Sequence, residues 1–148
     1  MRTGKNARIL TTRHASSSYS RFDAIDGSHR FKAAVPQGYV EYSVRKRHGA
    51  QVFYFNFDLA RQMGLIPSDH PDELNSELSE RILETFSLVI INEWDLEHGS
   101  TFRKQDIRKN KYMATRYLQL QHPSKLGKTS GDGRGIWNGE IRHRGTTW

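Results

Sequence analysis

The chain contains no cysteine, which removes disulfides, thiolate metal sites and a cysteine nucleophile from consideration. Also missing is any apolar run of the length a membrane span needs: the most apolar piece, "FSLVIINEW", is far too short. No GxSxG elbow supports serine hydrolysis, and the seven histidines are scattered, with no HExxH pair among them. Acids are absent from the first 22 residues, where Arg2, Lys5, Arg8, Arg13 and Arg21 stand among serines and threonines. The expectation is a soluble, intracellular protein without a membrane partner. Cytoplasm is the expected compartment, or the mitochondrion if the basic start is a targeting segment.

Lysine and arginine number 23 against 16 acids, a net charge of +7 over 148 residues, and the pI is near 9.9. That balance favours anionic partners without choosing among nucleotide, nucleic acid and acidic lipid. The length suits one domain. Residues 1–38 show no sustained periodicity and read as a basic flexible N-terminal segment, with an ordered patch around Phe31. The domain proper is expected over residues 39–148.

Tyr39 to Val44 and Gln51 to Phe57 are β-branched and aromatic with rough alternation, and "KRHG" between them reads as the turn of a hairpin. "LARQMGL" reads as a short helix closed by Gly64. Ser68 and Asp69 are cap-type residues before a longer helix, on which Leu74, Leu78, Ile82 and Phe86 recur every four residues. "LVIIN" fits either an extension of that helix or a buried strand, and "RYLQLQ" alternates as a strand does. "EWDLEHG" reads as a solvated surface turn, since its acids and histidine lack a recognised metal-ligand spacing.

The stretch "KLGKTSGDGRGIWNGE" holds five glycines, two lysines and an arginine in sixteen residues. A P-loop would require a glycine six residues before Lys128, where His122 stands. Gly131, Gly133 and Gly135 alternate between strand-like pieces, an arrangement that brings backbone amides close to an anion, with Arg134 adding a bidentate cation. Asp132 and Gly133 equally form a favoured two-residue hairpin turn that needs no ligand. A separate basic cluster, Arg103, Lys104, Arg108, Lys109, Lys111 and Arg116, is interleaved with Phe102, Tyr112 and Tyr117. It suits a small nucleic-acid-binding module, or else a solvated face.

Two segments together resemble the selenoprotein O family, kinase-like enzymes that transfer AMP from ATP to protein hydroxyls. "NFDLARQMGL" is similar to the family pattern N-x-x-L-A-x-x-L-G-L, matching at Asn56, Leu59, Ala60, Gly64 and Leu65, with Met63 in place of leucine. "SGDGRGIWNGE" is similar to L-G-D-G-R-A-x-x-x-G-E, matching at Gly131, Asp132, Gly133, Arg134, Gly139 and Glu140. Ser130 and Gly135 depart from it, and Gly145 and Trp148 continue in register with the family's next strand.

The resemblance implies an α+β fold, the N-terminal part of a kinase-like fold, with a small antiparallel sheet, a glycine-rich loop and one or two packed helices. It implies a protein adenylyltransferase that binds ATP with Mg or Mn, with Gly131, Asp132, Gly133 and Arg134 at the nucleotide and protein hydroxyls as substrates. The family's catalytic and metal-binding acids lie beyond Trp148. The chain is therefore expected to be truncated there and inactive alone, with no catalytic residue or metal ligand of its own.

Overall fold

The computed structural model describes residues 18–119 and 128–148. A 3-10 turn over Ser20–Ala24 leads to a single helical turn α1 (Phe31–Ala34), then strands β1 (Tyr39–Tyr42) and β2 (Val44–Lys46). Helices α2 (Phe57–Gln62) and α3 (Ser76–Phe86) follow, then β3 (Leu88–Ile90), α4 (Glu93–Glu97) and a 3-10 turn at Lys104–Asp106. The chain closes with β4 (Tyr112–Gln119), β5 (Lys128–Trp137), β6 (Arg142–His143) and β7 (Thr146–Thr147). The architecture is α+β, with small antiparallel sheets and few helices: β1, β4 and β5 form one sheet with β4 central, β2 pairs with β3, and β6 with β7. No helix among the described residues is long and apolar enough to cross a membrane.

Two apolar clusters hold these pieces. One joins Tyr19, Phe22 and Ile25 to Ala60, Leu65 and Ile66 around α2, to Leu78 and Ile82 on α3, and to Ile141. The other lies on the main sheet, where Tyr42, Val44, Ile90, Tyr112 and Ala114 meet. The first cluster corrects the boundary drawn at residue 38. Phe22 is 1% exposed, and the Tyr19 hydroxyl contacts His70 Nε2 and accepts from Asn75 Nδ2, each at 2.7 Å. A 3-10 turn contributes too few core positions to leave a periodic trace in the sequence.

The expected hairpin is not formed. β1 pairs with β4 and β2 with β3, while residues 51–56 join no sheet and leave Phe53 and Tyr54 largely exposed. The apolar alternation of that segment was real, but longer-range partners satisfy the strand edges. "LVIIN" resolves as strand β3, and "YLQ" lies in β4.

Helix α2 is closed at both ends by its sequence. Asn56 Oδ1 accepts from Leu59 N at 2.9 Å, and Gly64 takes a φ of +68°. Leu65 N then donates to Ala60 O and Gly64 N to Arg61 O, the paired bonds of a Schellman end. The longer helix starts later than Ser68 and Asp69 suggested. Its cap is Asn75, whose Oδ1 accepts from Leu78 N at 2.8 Å. Pro71 disfavours helix at the residue before it, so the chain stays irregular until Asn75. Lys46 Nζ meets Glu84 Oε1 at 2.8 Å and ties β2 to α3.

Asn75→Ala removes both the cap and the link to Tyr19, and we expect a loss of about 1–2 kcal/mol by urea denaturation. Ser68→Ala should stay within about 0.5 kcal/mol of the parent, as surface changes do. The Glu84 carboxyl is held below its ordinary value of 4.5 by hydrogen bonding to Lys46, aided by Arg81 and opposed by burial. Its contribution to stability is therefore complete above pH 4.5 and fades as pH falls through the lower folded value. Denaturation midpoints of Glu84→Gln should fall less steeply than those of the parent between those two values.

Candidate functional site

The glycine segment does not form the tip of a hairpin. Gly131 opposes Arg116 and Ile136 opposes Ala114, so five steps along β5 face two along β4 and three residues are extra. Asp132, Gly133 and Arg134 thus lie within β5, at a bulge in mid-strand. Asp132 and Gly133 therefore do not form a hairpin turn, and a glycine-rich loop between two strands is not shown. The chain passes from β4 to β5 through residues 120–127, so His122 and Gly127 lie outside the described residues. Gly135, by contrast, is exposed, and a Cβ there would meet nothing within 4 Å.

Beneath the start of the bulge sits Tyr42, which the sequence reading assigned only to a strand. A Cβ at Gly131 would strike the Tyr42 ring and come within 2.8 Å of Ala114 Cβ. The Tyr42 hydroxyl accepts from Gly131 N at 2.5 Å and donates to Glu93 Oε1 at 2.7 Å. Burial pushes the Tyr42 phenol pKa up; the hydrogen bond to Glu93 adds to the rise, and the Gly131 amide partly offsets it. An open cavity of about 420 Å³ adjoins this group and is lined by Val40, Tyr42, Ile91, Glu93, Phe102 and Lys111 among others.

Glu93 and Asp95 belong to α4, a short helix where a surface turn was expected. Asn92 and Asp95 form a reciprocal capping box, so Asp95 serves the helix end. Trp94 is exposed and stacks on His98 with ring centroids 4.2 Å apart. Among the described residues no three His, Asp or Glu side chains gather as a metal site.

The chain directly after the second segment of the family resemblance lies against the first. Gly64, ending α2, lies against the His143 imidazole so closely that a Cβ would fall 2.5 Å from Nδ1. Ala60, Leu65 and Ile141 share one core cluster. Gly139, at φ +139°, passes the backbone of residues 26–28, with a Cβ position 3.3 Å from Gly27 N. Glu140 pairs with Arg30 Nε at 3.0 Å, and that bond holds its carboxyl below the ordinary range.

The basic cluster is not one stacking platform. Tyr112 is buried in the sheet core, and the Arg45 guanidinium covers Phe102 at 4.6 Å. Arg103 is bound to Asp106, and Arg116 donates to Tyr39 O. Tyr42, Glu93 and the Gly64–His143 contact escaped the sequence reading because each depends on a long-range partner. Comparison with protein-family models, curated proteins and solved structures finds no match.

Tyr42→Phe keeps the ring over Gly131 but leaves the Glu93 carboxylate and the Gly131 amide without their partner. We expect a loss of about 1–3 kcal/mol, the cost of stranding a buried polar group. Hydrogen exchange at the Gly131 amide should accelerate in the same variant. Unchanged exchange there would remove Tyr42 as the anchor of the glycine segment.

Proposed function

We propose that this chain is the N-terminal portion of an ATP-binding protein adenylyltransferase resembling the selenoprotein O family. The observation that supports the reading is that the chain directly following the second motif segment packs on the first, with His143 against Gly64 and Ile141 in the core shared with Ala60 and Leu65. Support comes also from two segments far apart in sequence that each resemble one family pattern and stand in adjoining parts of one fold.

In this reading the bulge from Gly131 to Arg134 receives the nucleotide phosphates. Gly131 shapes the site, because its amide is already bonded to Tyr42 and its missing side chain makes room for the Tyr42 ring. The backbone amides that follow it, together with Arg134, are assigned in this reading to the phosphate oxygens. In the transfer the substrate hydroxyl oxygen bonds to the α-phosphorus, the bond to the bridging oxygen breaks, and pyrophosphate leaves with AMP retained on the protein. The family implies magnesium or manganese for that chemistry. Nucleotide binding is the part of that chemistry assigned to this chain.

The test is calorimetric titration of the chain with ATP. Arg134→Ala should weaken binding about tenfold, in line with the roughly 1.5–3 kcal/mol of a hydrogen bond to a charged group. Gly131→Ala should disturb folding and binding together. No saturable heat with the parent chain, or equal affinity in Arg134→Ala, would overturn the reading.

A further inference from the structure

A second concavity, about 430 Å³, opens where the end of α2 faces the residues before the first 3-10 turn and the β6–β7 hairpin. Arg21, Arg61, His143 and Arg144 line it together with Gln62 and Ser68, and no carboxylate side chain is among its walls. Its volume is of the order of small-molecule sites, roughly 300–1,000 Å³.

The cations differ in how far they are already neutralised. Arg61 is held by Asp58 at 2.8 Å, by Asp72 and by His70 O, so it forms a fixed wall. Arg21 donates to a neutral acceptor, Arg142 O, at 2.7 Å, which leaves its charge uncompensated. Arg144 has neither a hydrogen-bond nor an ion-pair partner among the described residues. It is also the one non-glycine among them with a positive φ, 46°, followed by Gly145 at 82°.

Arg144 and Gly145 are thus the two central residues of the β6–β7 turn, in the conformation that favours Asn-Gly or Gly-Gly. Arginine there gains no local hydrogen bond of the kind asparagine makes and carries a conformational cost. What it supplies is a guanidinium at the rim of a cavity that already holds Arg21 and His143. The His143 ring is in turn packed against Gly64, where no side chain could fit.

We infer that this concavity binds a small phosphate-bearing anion, with Arg144 and Arg21 as the charged donors and the His143 ring in the wall beside them. The inference does not depend on the ATP reading, since none of its residues belongs to the glycine segment.

The experiment is a titration of the full chain with inorganic phosphate, followed by ¹H–¹⁵N NMR at constant ionic strength with chloride as the exchanged anion. Saturable shifts are expected at His143, Arg144 and Gly145. Arg144→Gly removes the charge while suiting the positive φ, so it should fold at least as stably as the parent and bind phosphate at least fivefold more weakly. Arg21→Gln should weaken binding in the same way. Shifts that do not saturate, that chloride reproduces, or that persist with equal affinity in Arg144→Gly would overturn the proposal.

Discussion

The architecture depends on β4 finding partners on both of its edges. Tyr112, Met113 and Ala114 are each 2% exposed or less, and a strand so buried must satisfy its amides and carbonyls by pairing. One edge is met by β1, some seventy residues earlier in the chain, with Tyr42 opposite Tyr112; the other is met by β5. Both pairings must close before the sheet cluster exists, so the entropy of joining distant segments precedes the apolar gain. Around that sheet the helices α2 and α3 form a separate core with the N-terminal 3-10 turn, which explains why two clusters exist in so short a chain.

The demands of β4 also set the form of the glycine segment. A regular β5 would put a side chain where the Tyr42 ring lies, and the phenol needs partners for its buried hydroxyl. Glycine at position 131 admits the ring, its amide donates to the hydroxyl, and the hydroxyl donates to Glu93. Three extra residues then leave the ladder before Ile136 rejoins it opposite Ala114. The bulge is thus anchored at Gly131 by Tyr42 and open at Gly135, where a Cβ would meet nothing within 4 Å.

What could be read from the sequence was local chemistry. Asn56 and Gly64 mark the two ends of α2 through bonds that span only a few residues, and Leu78 and Ile82 mark the buried stripe of α3. The alternation of "YLQ" marked a strand, whereas "LVI" fitted helix or strand until its pairing with β2 decided for strand. Pairing was not legible: residues 51–57 look like a strand by composition, yet β1 found its partner at 112–115. Nor was the cap of α3, because Ser68, Asp69 and Asn75 are all competent and only the chain path beyond Pro71 selects Asn75. Tyr19 and Phe22 carry core weight from a turn too short to show a period, and the bulge at Asp132 to Gly135 is defined only against β4.

The distribution of charge follows from the same packing. Arg30 is drawn to Glu140, Lys46 and Arg81 to Glu84, Arg61 to Asp58 and Asp72, and Arg103 to Asp106, so many cations of a basic chain serve to join elements. Exposed pairs of this kind contribute little stability, typically about 0–1 kcal/mol, and their main effect is to lower the free positive charge over most of the surface. The excess is then informative where it persists. Arg144 sits in a turn conformation that resists arginine, with no acid against it among the described residues, beside an imidazole that Gly64 leaves room for. A charge kept at conformational cost, with no partner among the described residues, is explained by a ligand more economically than by folding.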